Sequence, residues 1–209
     1  MNPARQRRST VYGRGPFYIT NTEILNKLRM TNLTRTTLDR SSDMDITIDD
    51  IKFIRLVYQL AAESASLNYD PFAAILVQNN ELKYKSLDVS VVKSNPTLHA
   101  EVNVIGEYCS NNKIFSLEGY TLYSSTEPCI MCSGAIHWSR ISRVVYGVSQ
   151  EKLKAVSKGN QKPTCKDLLF GSGRTQVIGP VLEEEGMEIF QRYPLIPKQE
   201  RHKQIFLDQ

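Results

Sequence analysis

His99-Ala100-Glu101 and Pro128-Cys129-Ile130-Met131-Cys132 are the two stretches that decide how this 209-residue chain is read. Between them they hold one imidazole, two thiols and one carboxylate. A catalytic zinc takes three protein ligands and leaves a fourth position for water, and a Cys2His set is one of the sets that does this. His99, Cys129 and Cys132 supply such a set. The two cysteines stand at i and i+3, a spacing that puts both on one helix face, and Pro128 suits a helix start. A helix N-terminus carries partial positive charge and unpaired N–H groups, which favour the thiolate that binds metal.

Two thiolates and a neutral imidazole cancel the charge of Zn2+, so water on such a metal is acidified less than over three neutral ligands. A separate proton acceptor is then needed. Glu101, two residues from His99, is placed to take the water proton and return it to a ring nitrogen and a departing amine. With these residues the chain resembles the zinc-dependent cytidine, nucleoside and nucleobase deaminase superfamily, whose signature is H-x-E followed by P-C-x-x-C. The 30-residue interval from His99 to Cys129 is similar to that of its guanine deaminase and tRNA adenosine deaminase branches. Residues 51–193 carry the likeness.

Taken alone, Cys129-x-x-Cys132 also fits a thioredoxin-like redox pair, and a structural zinc module would need a fourth protein ligand. Cys109 and Cys165 are the remaining thiols and sit in no paired spacing, which reads as buried or incidental cysteine. Glu101 speaks against both alternatives, since neither has use for it.

Composition is that of an ordinary globular protein, 41% hydrophobic and 23% charged. Four cysteines do not make a disulfide framework, which implies a reducing compartment and, most simply, the cytoplasm. No apolar run reaches the roughly 18 residues that suggest a membrane span. The net charge of +4 is unevenly spread: residues 1–40 hold eight Lys/Arg and two Asp/Glu, whereas the rest hold 18 and 20. The catalytic portion is therefore slightly acidic, and that favours a small base or nucleoside over a polynucleotide. The basic arm alone points to tRNA. Its Arg5, Arg7, Arg8 and Arg14 with Ser9 and Thr10 also share the composition of organelle transit peptides.

The organisation expected is a basic extension over 1–47, a deaminase domain over 48–193 and a tail over 194–209. A short helix is read at 22–30. Thr47 or Asp49 caps a helix whose apolar face is Ile51, Ile54, Val57, Tyr58 and Ala61. After the Asn68-Tyr69-Asp70-Pro71 turn come strands at 72–77 and 82–91, paired as a hairpin. A helix opens at Pro96-Thr97-Leu98, carries His99 and Glu101 in its first turn and ends at Asn111-Asn112-Lys113. A third strand at 120–125, the Cys129–Ser139 helix, a strand at 143–148, a short helix at 150–157, a strand at 175–181 and a helix at 182–193 follow. Residues 158–162 read as a polar loop. Strand–helix alternation implies parallel pairing in this half. The superfamily fold implied is α/β, a three-layer α/β/α sandwich around a five-stranded mixed sheet.

The resemblance also suggests substrate contacts at Phe72, Asp88, Ala100 and Trp138. Phe72 lies in Pro71-Phe72-Ala73-Ala74, where guanine deaminase-like relatives have Pro-Phe-Gly-Ala; as a phenylalanine opening a buried strand it also reads as core. Asp88 stands eleven residues before His99, where relatives carry a base-contacting asparagine. An ionised carboxylate only accepts hydrogen bonds, so Asp88 suits a substrate edge bearing N–H or O–H; it also reads as a solvated strand residue. Trp138 matches the guanine deaminase-like tryptophan and suits purine stacking or plain core, while His137 reads as structural. The acidic, aromatic C-terminal segment that covers the pocket in guanine deaminases has no match in residues 179–185. The expectation is a deaminase with one Zn2+ per chain, acting on a nucleobase or nucleoside through water made nucleophilic at the metal, with guanine or guanosine favoured. The alternative is A-to-I deamination of tRNA, and relatives by analogy suggest a homodimer.

Overall fold

The computed structural model describes residues 46–156 and 162–206. The expected helix at 22–30 and most of the 158–162 loop lie outside them. Helix α1 (Ile48–Ser66) starts where the sequence marks it: Thr47 Oγ1 accepts from the Asp50 N–H, and Asp50 Oδ2 accepts from the Thr47 N–H at 2.7 Å. This reciprocal capping box satisfies two donors that a helix start otherwise leaves open. The α1 face carrying Phe53, Ile54, Val57, Tyr58 and Ala61 is buried.

Strands β1 (Ala73–Gln78) and β2 (Glu81–Leu87) form the expected antiparallel hairpin, turned at Asn79 and Asn80, both with positive φ. Asparagine tolerates the left-handed region better than most residues. β2 is shorter than read from sequence: beyond Leu87 the chain leaves the ladder, and residues 88–98 turn back toward helix α2 (Ala100–Asn112). Then come β3 (Thr121–Thr126), α3 (Ile130–Trp138), β4 (Arg143–Val148), α4 (Gln150–Leu153), α5 (Cys165–Phe170), β5 (Gln176–Ile178), α6 (Glu183–Arg192) and α7 (Lys198–Phe206). Strand β5 stops before Gly179-Pro180, as a residue without an N–H ends a ladder. Helix α5 was not read from sequence, because six residues are too few to show a helical period.

The sheet order is β2-β1-β3-β4-β5, antiparallel across the first three strands and parallel across the last three, so the five-stranded mixed sheet is as expected. Strand residues alternate between faces. Ala74, Leu76, Leu122 and Val144 point to one face and pack with Ala100, Val104, Ile105 and Ile136 from α2 and α3. Tyr123, the neighbour of Leu122, points the other way and meets Phe53 of α1 at 5.0 Å between ring centroids. Gly147 on β4 permits the α1 layer to sit this close, since a Cβ there would meet the Tyr58 hydroxyl at 2.2 Å. Two helical layers thus enclose the sheet, and the layer of α2 and α3 holds the candidate site.

The 194–209 segment, set apart as a tail from sequence, contains α7, whose Lys198 and Arg201 pair with buried carboxylates of the domain. Among the described residues, no helix is long and apolar enough to cross a membrane.

Candidate active site

Two helix starts converge at the C-terminal end of β3. His99 is the N-cap of α2 and Cys129 the N-cap of α3, both with extended backbones. The His99 side chain makes no capping hydrogen bond; it is turned instead toward the cysteines. Cys132 sits in the first turn of α3 and is fully buried. The His99 Nδ1 atom is 3.7 Å from each Sγ, and the two Sγ atoms are 3.5 Å apart.

These separations test whether a metal fits. Ordinary Zn–S and Zn–N bond lengths at tetrahedral angles put sulfur about 3.8 Å from sulfur and about 3.6 Å from nitrogen. The triangle meets both within a few tenths of an ångström, and its three donor atoms form a group able to hold one ion. Two thiolates and an imidazole are also a donor set that zinc prefers. The residues fit the metal.

Electrostatics at the site favour ligation. Hydrogen bonding from Cys132 and then from His99 holds the Cys129 thiol down to about 4, against the burial that opposes it. The Cys132 thiol is pushed up, by its bond to the Cys129 sulfur, by burial and by the Glu101 charge, so in the metal-free chain the pair keeps its proton on Cys132. Zinc binding must expel that proton.

Glu101 lies in the first turn of α2 and is buried, with Oε2 3.4 Å from the Cys132 Sγ. Its Oε1 accepts a 2.9 Å hydrogen bond from the Ser124 hydroxyl on β3. Burial raises its pKa above the usual carboxylate range, which suits a group that must take up and release a proton. Sequence reasoning passed over Ser124; the signal was the polar run Ser124-Ser125-Thr126 closing a strand after Leu122 and Tyr123.

The chain matches the family model for the cytidine and deoxycytidylate deaminase zinc-binding region over residues 47–148. It is 32% identical to the probable cytosine deaminase of Schizosaccharomyces pombe, in an alignment covering 70% of this chain and 93% of that one. The chain belongs to the zinc-dependent cytidine and deoxycytidylate deaminase family. A second relative, the tRNA-specific adenosine deaminase of Buchnera aphidicola, is 39% identical over 50% of this deaminase, which spans 65% of the relative's length. The guanine deaminase of Nitrosomonas europaea shares the fold at a TM-score of 0.62 and 17% identity, covering 91% of this chain and 98% of its own. Zinc is the metal of the matched region, and the residues read as its ligands are those the structure of this deaminase brings together.

The remaining expected contacts fare differently. Ala100 is adjacent to His99, but its methyl belongs to the apolar cluster under α2. Phe72 precedes β1, half-buried, with its ring 5.7 Å from that of Phe190 on α6, while its carbonyl accepts from the Asp88 N–H. Asp88 is no solvated strand residue: it is 4% exposed, lies beyond the end of β2, and its carboxylate is held by Ser90 and by Lys198 of α7 at 2.7 Å. Trp138 is the last residue of α3, at the opposite end from Cys129, and is 80% exposed, with its indole against His137. It is neither core nor grouped with the metal ligands. Cys165 is a buried thiol pushed up to about 12 by burial, as an incidental cysteine should be. The polar cluster around Lys198 had no sequence signal, since 110 residues separate Lys198 from Asp88.

Proposed function

We propose that the chain hydrolytically removes an exocyclic amine from a free nucleobase or nucleoside, guanine, guanosine or cytosine in preference to adenosine in tRNA. The observation that carries the reaction is the His99–Cys129–Cys132 triangle with the Glu101 carboxyl beside it. When bound, zinc would be held by these three residues and would supply a polarised water. Glu101 would accept a proton from the attacking water, pass it to a ring nitrogen and convey a second to the leaving amine. The water oxygen ends as a ring carbonyl and nitrogen departs as ammonia. Ser124 orients Glu101 through Oε1 and leaves Oε2 toward the metal side.

A small substrate is supported by the acidic balance of residues 41–209, which lack the basic excess that holds a phosphate backbone. The fungal relative, which the chain spans almost fully, is a probable cytosine deaminase. The test is ammonia release by zinc-loaded protein from guanine, guanosine, cytosine, cytidine, adenine, adenosine and an anticodon stem-loop of tRNA. Release from a small base or nucleoside, absent in Glu101→Gln, is the expected result. Release from the stem-loop alone would overturn the small-substrate reading and give residues 1–40 a role in RNA binding.

A further inference from the structure

Helix α7 (Lys198–Phe206) docks by charge. A surface helix ordinarily lays an apolar stripe on the core, but the only buried residue of α7 is Arg201. Its Nε is 3.1 Å from Asp70 Oδ1, and Nη1 donates to the backbone carbonyl and the side-chain oxygen of Asn68 at 3.0 and 3.1 Å. One turn earlier the Lys198 ammonium faces three oxygens: Asp88 Oδ2 and Ser90 Oγ, each at 2.7 Å, and Asp70 Oδ2 at 3.7 Å. The side chains of Asp70 and Asp88 are each 2% exposed. Two buried carboxylates thus meet two cations of one helix, and the three donors of the ammonium are directed at these groups. A cluster so arranged holds the chain rather than a ligand.

It holds the segment from Asp88 to Leu98, which leads into the metal ligand His99. Ser90 and Val91 are buried, whereas no side chain over residues 93–97 is. The segment closes on itself through the backbone, with the Val89 N–H donating to the Leu98 carbonyl and the Asn95 N–H to the Ser90 carbonyl. Its two ends therefore lie side by side. Helix α7 grips it twice: Lys198 binds Asp88 and Ser90 at the first end, and His202, one turn on, makes a 2.8 Å hydrogen bond with the Ser94 hydroxyl. Ser94 sits at φ 48, a left-handed conformation uncommon for serine, so this bond braces a turn that the backbone alone disfavours. His99 is the N-cap of α2 with no capping bond from its side chain, and its N–H donates to the Thr97 carbonyl at 2.9 Å. The aim of its ring therefore depends on how residues 88–98 are held.

We propose that Lys198 and His202 are positioning residues for His99: α7 clamps the 88–98 segment, and the clamp raises the affinity of the zinc site. The proposal rests on the metal site and stands whichever base is the substrate. A ligand held in its binding orientation need not be re-aimed when the metal arrives, which is how outer groups strengthen a metal site.

Metal affinity and local exchange in the full chain test it. Zinc dissociation constants come from competition with a chromogenic chelator, the visible spectrum of the cobalt(II) form reports ligand geometry, and hydrogen exchange is read on peptides over 88–99 and 121–126. The proteins are wild type, Lys198→Met, Lys198→Arg, His202→Ala and the control Lys83→Met, whose ammonium pairs with Glu81 at the surface. For Lys198→Met the expected result is zinc bound about tenfold or more weakly, a changed cobalt spectrum, and faster exchange over 88–99 but not over 121–126. Lys198→Arg should recover part of the loss, and Lys83→Met should show none. His202→Ala leaves the buried ion pairs intact and keeps the proposal testable if Lys198→Met does not fold; it should show the same selective exchange with zinc bound about threefold more weakly. A lowered melting temperature with zinc affinity, cobalt spectrum and 88–99 exchange unchanged would make α7 merely structural and overturn the proposal. Equal weakening of zinc in Lys83→Met would overturn it too. The expected zinc and exchange results in a protein whose wild type releases no ammonia from any base would sink deamination and leave the clamp standing.

Discussion

The Ser124 hydroxyl donates to Oε1 of Glu101 across the interface between β3 and α2, at 2.9 Å. The bond joins a sheet residue to a helix residue in a water-poor layer, so it fixes the carboxyl in one orientation. Hydrogen bonds to charged groups contribute about 1.5–3 kcal/mol, and Ser124→Ala should therefore lower kcat about tenfold to hundredfold with zinc retained. The bond also steadies the Glu101 anion against the burial that raises its pKa. Its loss should move the acidic limb of the pH–rate profile to higher pH. A variant with wild-type kcat and an unmoved limb would rule out this role.

Metal removal should expose one reactive thiol. Cys129 is half-buried and its thiol is held down to about 4, whereas Cys132 and Cys165 are buried and pushed up, and burial also raises Cys109. A thiolate is the reactive form. Chelator-treated protein at pH 6 should take up iodoacetamide fast at Cys129 alone, and added zinc should suppress it. Mass spectrometry of peptides reads the site. Equal rates with and without zinc would mean that Cys129 does not ligate the metal.

The metal triangle, the capped helix at Thr47 and the β1–β2 hairpin were legible because they depend on local signals: a helix-start pair at i and i+3, an N-cap before an apolar helical period, apolar strands bounded by a turn; the order β2-β1-β3-β4-β5 rests on non-local pairing and was not. The helix over Glu183–Arg192 was legible for the same reason. Asp88 shows where local reading stops. Its residue type implied an acceptor for substrate, but its partner Lys198 comes from a helix 110 residues away, and no pattern near Asp88 announces that pairing. Trp138 shows a second limit. A helix that places Cys129 and Cys132 at a metal carries its ninth residue roughly 12 Å along the axis, away from it.

Glu127, next to Pro128-Cys129, ties the cysteine loop to two further helices. It is 7% exposed, with Oε2 accepting from the Gln150 N–H at the start of α4 and Oε1 from the Cys165 N–H at the start of α5, both at 3.1 Å. Glu127→Ala would strand two backbone donors, at a cost of about 2–3 kcal/mol. Because the clamp adjoins a ligand, zinc affinity should fall about tenfold or more, as for other supports of metal ligands. Urea unfolding and competition with a zinc-binding dye measure the two effects. Unchanged zinc affinity would confine Glu127 to holding α4 and α5.

Asp50 predicts how the fold responds to acid. Its carboxylate is fully buried, and Arg143 grips it through both Nη atoms at 2.6 and 2.8 Å while the Tyr123 hydroxyl donates at 2.8 Å. Burial by itself would raise its pKa; the Arg143, Thr47 and Tyr123 hydrogen bonds outweigh that and bring it from 3.8 down to about 2. A group whose folded pKa is depressed stabilises the fold above its unfolded pKa, and the contribution is lost as pH falls through the folded value. The window is therefore pH 4 to 2, and the amount is on the order of 2 kcal/mol. Asp50→Asn should remove that part of the acid slope and cost about 3 kcal/mol at pH 7, since it leaves Arg143 without its countercharge. Urea midpoints of both proteins measured between pH 7 and pH 2 give the comparison. Parallel curves across pH 4 to 2 would show that the Asp50–Arg143 pair does not govern acid stability.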